Sequence, residues 1–496
     1  MTLFDQISRA GTDSDIVLFS GPTAIERGEL LQGAHKLAGQ LSEAGTRCVA
    51  LLADNGPDWV FADLACQLAE IRLVPVPLFF SGEQIRHTLA SSGADTLITD
   101  QPAAAALAGA TPLVAAGSSP LTMAKRYALP ASAPPEIPQG TQKITFTSGT
   151  TGEPKGVCLS AQQQLSVAVS IAETIDIASP VHLCVLPLST LLENIAGVYV
   201  PLLSGGSVVV PPLNDVGLHG SSQLDIHKLL HCISSFAPDS LITVPEILDS
   251  LASAAERNWR PPSSLRFVAV GGGKVSAETL RRARKAGLPV YEGYGLSECG
   301  SVVTLNGPGA DRVGAAGWPL PHVDVHIDDG EVVIEGNTFL GYVGQPASWG
   351  ATYVRTGDIG RFDEDGFLHI DGRIKNQIIT SFGRNLSPEW VEAELLHGPL
   401  LRQAVVIGDA RPWCVALLLP RDSAASDHDI AAWVMTVNRR LPDYARVLDW
   451  QRLPEPMTPD NGLMTANGRP RRQELEQHYR SAIEKLYAHQ PEASNQ

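Results

Sequence analysis

The sequence predicts an α/β protein: doubly wound α/β subdomains, then a small β-rich subdomain, then a smaller α+β domain at the C-terminal end. Three observations predict it. Up to about residue 305, apolar strand-like runs alternate with amphipathic helical segments, the order that builds right-handed βαβ units and a doubly wound sheet. After about residue 310, short strands separated by Gly and Asp replace that alternation. From about residue 373, helices and strands mix again in α+β order, dividing the chain into 1–372 and 373–496.

Residues 27–45 place Leu30, Leu31, Ala34, Leu37 and Leu41 on one helix face. CVALLAD follows as a buried strand, WVFADLACQLAEI as a helix, RLVPVPL as a strand, EQIRHTLASSG as a helix and TLITD as a strand. Residues 102–140 are rich in Ala, Pro and Ser and are expected to form a weakly structured connection. Asn194 to Asn214 holds 21 uncharged residues, a length that suggests a membrane span. Pro201, Gly205, Gly206, Pro211 and Pro212 interrupt it, so a helix, a turn and the buried strand SVVV are expected instead. The second alternating stretch has helices at LLHCISSF, ILDSLASAAER and AETLRRARKAG, and strands at SLITV, LRFVAV and VYEGYG. VDVHID, EVVIEG, FLHIDGR and QIIT supply the short strands that follow. The last region offers helices SPEWVEAELL and DIAAWVMTVNRRL and strands AVVIG and CVALLLP.

Thirty-seven basic against 53 acidic residues give a formal charge of −16. That balance argues against nucleic acid and against an anionic membrane surface, while leaving room for one anionic ligand in a locally positive pocket. Seven cysteines without a C-x-x-C argue against a disulfide framework or a structural zinc site and suit a reducing, cytoplasmic compartment. The N-terminal residues carry Asp5 and Arg9 and no apolar signal-like run.

Lysines number nine, so one inside a Gly-rich loop stands out. Thr147-Ser148-Gly149-Thr150-Thr151-Gly152-Glu153-Pro154-Lys155-Gly156 follows a strand-like ITF. Its glycines let backbone N–H groups turn inward, its hydroxyls add donors and Lys155 adds charge, a combination that cradles a polyphosphate. It is not a Walker A loop, and a Ser/Thr/Gly surface turn is the plainer alternative. Tyr291-Glu292-Gly293-Tyr294-Gly295-Leu296-Ser297-Glu298 offers an aromatic for a base, a hydroxyl for phosphate and a carboxylate for Mg²⁺. Tyr353 to Asp358 and Asp371 to Lys375 bring Asp358, able to accept both ribose hydroxyls. Standing alone, each of the last two reads as a strand end or a turn.

In this order and at these separations the segments resemble the adenylate-forming superfamily of acyl-CoA synthetases, peptide-synthetase adenylation domains and luciferases. The resemblance runs from about residue 20 to 485 and lies nearest the fatty acyl-CoA synthetase branch. It rests on TSGTTGEPKG, YGLSE, RTGD, GRIKNQIITSFGRNLSP and TANGRPRR. It implies a large N-terminal domain and a mobile C-terminal one. The implied reaction is attack of a carboxylate on the α-phosphate of ATP, giving acyl-AMP, then capture of the acyl group by a thiol. The resemblance assigns the pyrophosphate to Thr147, Ser148, Gly149, Thr150, Thr151, Gly152 and Lys155. Ser297 stands by the α-phosphate and Glu298 holds Mg²⁺. The adenine lies by Glu292 and Tyr294 with Gly272 and Gly273 opposite, and Asp358 and Arg373 hold the ribose. Lys375 is the implied hinge, Gly383 lines the thiol tunnel, and Gly271 and Glu193 belong to the acyl pocket. Lys274 is expected to be a solvated residue at a helix start.

The implied acid is a medium- or long-chain fatty acid, because amino-acid-activating relatives place an Asp where this chain has only Glu193 between 181 and 213. Burying that carboxylate without a partner is costly, so Glu193 reads as a structural or gating residue. The acceptor is CoA, or alternatively the phosphopantetheine of a carrier protein. One departure matters: the family's C-terminal lysine is replaced by Arg469 in Thr465-Ala466-Asn467-Gly468-Arg469. Arginine keeps the charge but is longer and planar. A second reading therefore stands beside the enzyme: a degraded synthetase that binds nucleotide or acyl chains. If Arg469 does not act, Arg471 and Arg472 are the next candidates.

Overall fold

The computed structural model describes residues 1–113, 118–131, 135–147, 154–220, 223–381, 385–465 and 468–488. Two large sheets dominate residues 1–342. The first has eight described strands in the order Gly341–Tyr342, Lys155–Leu159, Lys143–Thr147, Arg72–Pro75, Cys48–Leu52, Thr96–Thr99, Lys125–Ala128 and Thr111–Pro112. Its centre is parallel and its flanks are antiparallel. The second has nine described strands and centres on the parallel set Val290–Tyr294, Phe267–Val270, Ser240–Thr243, Val181–Leu183, Ser207–Val209 and Ile16–Ser20. The central strand Cys48–Leu52 is buried at every position, as a strand covered on both faces must be.

Two segments differ from expectation. The described residues of 102–140 are more ordered than their composition suggests. Pro102–Leu107 is helical with Pro at its first turn, and Lys125–Ala128 pairs antiparallel with Thr96–Thr99. A short flanking strand next to a well-formed one needs little propensity of its own, because the neighbour presents a ready row of backbone donors and acceptors, and Thr111–Pro112 closes its other side. Ahead of the expected first helix, Ile16–Ser20 and Thr23–Glu26 form a hairpin that completes the second sheet. The uncharged stretch after 193 contains a π-helix, Glu193–Tyr199, continued by Val200–Leu203 and the buried strand Ser207–Val209. No helix among the described residues is long and apolar enough to cross a membrane.

A four-stranded antiparallel sheet follows, Val323–Asp328, Glu331–Gly336, Tyr353–Phe362 and Leu368–Arg373. Beyond it, Leu401–Ile407, Cys414–Pro420 and Val447–Arg452 form a three-stranded sheet packed by Pro388–Leu396 and Asp427–Asn438. No buried hydrophobic cluster among the described residues mixes side chains from before and after Arg373. All seven cysteines are free and buried.

Candidate functional site

One large cavity of about 1520 Å³ opens between these bodies and is lined from both sides of Arg373. Thr147 and Lys155 face each other as the last and first residues of an antiparallel strand pair. The loop they bracket, with Ser148, Gly149, Thr150, Thr151 and Gly152, lies outside the described residues, as does Gly383. Lys155 Nζ stands 5.5 Å from the ring centre of Tyr342. The Tyr342 hydroxyl donates to Glu298 Oε1 at 2.8 Å, and burial with the adjacent Glu298 charge pushes its own pKa up. Tyr342 was not foreseen. It sits on a two-residue strand paired with Val157, too short to leave a periodic signal.

Glu298 belongs to a 3₁₀ turn, Ser297–Cys299, that follows strand Val290–Tyr294. The chain bends there because Gly295 has no side chain: a Cβ would lie 1.7 Å from the Ser301 carbonyl oxygen. Gly271, Gly272 and Gly273 form the turn from Phe267–Val270 into the helix Ala277–Lys285, with Gly272 at φ +79°. They also line the cavity, so the strand-to-helix turn and the site wall are one feature. Lys274 is exposed yet anchored, donating to the Ile370 carbonyl at 2.5 Å, and so is more than a solvated helix-start residue.

Asp358 is buried and uses both oxygens. Tyr294 donates to Oδ2 at 2.6 Å, and Arg373 Nε lies 2.8 Å from Oδ1. Asp358 and Arg373 are direct cross-strand neighbours, which fixes the pair by register rather than by side-chain reach. Burial and the Asp358 charge push the Tyr294 hydroxyl well up, so it stays a donor. Tyr291 is unavailable to a base on at least one face, because it stacks on Phe267 at 4.8 Å. Glu292 has its Oε2 shut away from water without a hydrogen-bond partner among the described residues. Burial pushes its pKa up to about 7, against the pull of Lys274.

Arg469 reaches this site from the C-terminal side, its guanidinium 3.5 Å from the Gly272 carbonyl oxygen. Its turn is held by Thr465, which donates its N–H to the Arg469 carbonyl at 2.7 Å and accepts from the Arg469 N–H at 3.0 Å. Burial and the neighbouring Arg373 charge hold the Arg469 pKa below the ordinary value, while Asp358, Glu389 and Glu298 oppose this. The side chain is nonetheless exposed to the open cavity, so water screens these charges. Lys375 lies in the same cluster, lowered by burial and by Arg373 and Arg469. Arg472 is committed elsewhere: its guanidinium grips Glu392 at 2.7 and 2.8 Å. Arg471 is tied to the Gly462 carbonyl at 3.3 Å. Arg469 is the C-terminal-loop arginine that faces the site.

Glu193 is fully buried, and its partner is His182, with Nε2 3.3 Å from Oε1. The next residue, Asn194, belongs to a second buried network around Lys143, whose Nζ lies 2.9 Å from Asp63 Oδ1 and 2.8 Å from the Tyr199 hydroxyl. The contacts of this second network join residues 51 to 136 positions apart, so no local pattern announces them.

The AMP-binding enzyme family matches residues 4–343, and the AMP-binding enzyme C-terminal domain matches residues 375–491. A feruloyl-CoA synthase from Amycolatopsis sp is 30% identical over 456 residues, covering 86% of this chain and 89% of that protein. A long-chain-fatty-acid–CoA ligase from Mycobacterium bovis is 28% identical over 545 residues, covering 90% and 88%. Among solved structures, an anthranilate CoA ligase bound to anthranoyl-AMP superposes with a TM-score of 0.81 at 18% identity, covering 98% of both chains. The O-succinylbenzoate CoA synthetase of Bacillus subtilis, in complex with ATP and magnesium, superposes with a TM-score of 0.75 at 25% identity, covering 96% and 99%. With both parts matched in order and the cavity lying between them, the chain belongs to the AMP-binding enzyme family of adenylate-forming acid–thiol ligases.

Proposed function

We propose that this chain activates a carboxylic acid carrying an apolar body as its acyl-AMP and passes the acyl group to CoA. The observation that carries the reading is the convergence of Arg469, Arg373 and Lys375 with Lys155 and Glu298 on one cavity, in a chain whose overall charge is −16. A cationic cluster on an acidic protein is the arrangement a polyanionic nucleotide requires. Displacement at a phosphate depends on positioning and charge neutralisation more than on covalent help. Arg469 bridges the acid carboxylate and the α-phosphate, as a planar fork able to grip two oxygens. Lys155 and the loop after Thr147 hold the departing pyrophosphate. Asp358, aligned by Tyr294 and Arg373, accepts from the ribose.

Glu298 suits a hard cation: one oxygen is set by Tyr342, and the residue lines the cavity. A Mg²⁺ held there neutralises phosphate charge. Lys375 lies between the strand that ends at Arg373 and the core that begins at Ile378, which supports its reading as the pivot about which the C-terminal part turns between half-reactions.

The acid is the open point. Relatives named for ferulate, 2-succinylbenzoate and long-chain fatty acids share one scaffold, so aromatic acids join the fatty acids as candidates. ATP–pyrophosphate exchange with ferulic, 2-succinylbenzoic, anthranilic and hexadecanoic acids tests the first step. Mass spectrometry of the product with CoA, and separately with a holo carrier protein, tests the second. Exchange with at least one acid and a CoA thioester are expected; nucleotide binding without exchange favours the degraded-synthetase reading.

A further inference from the structure

The parallel strands of the second sheet give the cavity a direction. Gly271 follows the C-terminal end of Phe267–Val270, whereas Ser240 opens its neighbour strand at the opposite end, paired in register with Phe267. At the rise of a β-strand, Ser240 lies roughly 10–13 Å below the glycine turn. That is roughly the span of a cinnamic acid or of a chain of about eight to ten carbons. The wall between them is apolar, with Ala196, Val200 and Ala269.

At its lower end the wall turns polar. Ser240 and His182 both line the cavity, and His182 is the direct cross-strand neighbour of Ser240. The Ser240 hydroxyl lies 2.9 Å from His182 Nδ1, and His182 Nε2 lies 3.3 Å from Glu193 Oε1. The other Glu193 oxygen is buried with no partner at hydrogen-bond geometry among the described residues, while the Cys184 thiol and the Leu186 amide act on the carboxyl from close by. The π-helix brings Glu193 inward, and Gly197 leaves the space: a Cβ there would lie 2.8 Å from Glu193 Oε1 and 2.9 Å from His182 Nε2.

Proton bookkeeping gives this chain a polarity. A buried acid–imidazole pair is least costly at zero net charge. With the pair's shared proton on the Oε1 side, the oxygen that faces the ring, zero charge places one proton between Glu193 Oε1 and Nε2 and the ring's other proton on Nδ1. Burial pushes the Glu193 carboxyl up, in the same sense. Nδ1–H then donates to Ser240 Oγ, and the Ser240 hydroxyl hydrogen is left without a protein acceptor among the described residues.

We propose that Ser240, aligned by His182 and Glu193, donates a hydrogen bond to an oxygen at the far end of the acid, so that the substrate is an acid with an apolar body and a distal hydroxyl or ether. This rests on the adenylation reading above. Ser240 is a specificity-determining residue; His182 and Glu193 are positioning residues.

The test uses matched acids in which a methyl replaces the distal hydroxyl: 4-hydroxycinnamic against 4-methylcinnamic acid, and 8-hydroxyoctanoic against nonanoic acid. The parent enzyme should form acyl-AMP from the oxygenated member of at least one pair with a kcat/KM about tenfold or more above its partner. Ser240→Ala should bring that ratio to about one while keeping turnover of the methyl acid within about threefold. Ser240→Cys, a weak donor of similar size, guards against a packing artefact and should also lose the preference. Glu193→Gln still donates to Nε2 and should preserve the ratio, whereas Glu193→Leu should lose it. The proposal is overturned if the parent prefers neither oxygenated acid, or if Ser240→Ala and Ser240→Cys leave the preference intact. If no acid of any kind supports pyrophosphate exchange, the adenylation reading itself fails and takes this proposal with it.

Discussion

Two clusters of charge hold this molecule together in opposite ways. Around Lys143, a cation with no exposed surface meets Asp63, Asn194 and Tyr199, and every one of those side chains is buried. Around Asp249, the carboxylate lies 3.0 Å from Arg282 of its own half and 2.8 Å from Arg421 of the C-terminal half. Arg282 also donates to the His397 carbonyl at 2.7 Å. Arg421 is 36% exposed, so water competes for this contact. The first cluster ties the first sheet to the π-helix beside the second and can open only with the fold. The second ties two separately packed cores and can open without disturbing either. Burial, rather than the number of ion pairs, separates a permanent joint from a reversible one.

Breaking the permanent joint should have the largest effect. Lys143→Ala leaves Asp63 buried without its cation and should cost about 3–5 kcal/mol of stability, read by denaturant unfolding. The contrast fails if that variant is as stable as the parent. Arg469→Ala comes next. It removes a charge-assisted contact worth about 2–4 kcal/mol, so acyl-AMP formation should drop roughly 30- to 1000-fold while unfolding stays unchanged. Transfer from supplied acyl-AMP to CoA should change little, and Arg469→Lys should retain substantial activity. Stopped-flow measurement of the two half-reactions separates these outcomes.

Glu292 lies between the two extremes, a carboxylate partly shielded and left without a full set of partners. Its folded pKa, about 7, exceeds the ordinary 4.5, so between those values the native state binds more protons than the unfolded chain. Stability should therefore decline as pH rises from about 4.5 to about 7 and level off above, by about 1–3 kcal/mol after allowance for solvent screening. Glu292→Gln should flatten that slope; a parallel slope in both proteins rules the assignment out. The smallest effect belongs to the reversible joint. Arg421→Ala still leaves Asp249 with Arg282, so the contact between the halves should weaken by under about 1 kcal/mol and acyl-AMP formation slow about two- to fivefold, with unfolding of either core unaltered. Limited proteolysis near residue 375 should speed up in the same variant.

What the sequence disclosed follows the range of the contacts. Thr147 and Lys155 were readable because they lie only eight positions apart, and Asp358 with Arg373 because a hairpin pairs them. The alternating strands and helices were readable for the same local reason. Tyr342 on Glu298 and Ser240 on His182 were not, being 44 and 58 positions apart and joined only by tertiary packing and sheet order. The π-helix was invisible because its extra residue per turn leaves an ordinary apolar run. Glu193 was identified as costly to bury, but its partner emerged only once the strand beginning at Val181 lay against the helix. The ordered part of 102–140 was missed because a short flanking strand borrows its order from its neighbours.

The seven cysteines have a practical consequence for anyone following the reaction. Each is buried, and burial pushes the thiols at 48, 158 and 414 up to about 12, far from the reactive thiolate. A ligase that hands acyl groups to a thiol thus presents no thiol of its own. A disulfide reagent added to the native enzyme should titrate the free CoA and nothing else. Loss of that signal then measures thioester formation directly, and any excess colour reports unfolded protein.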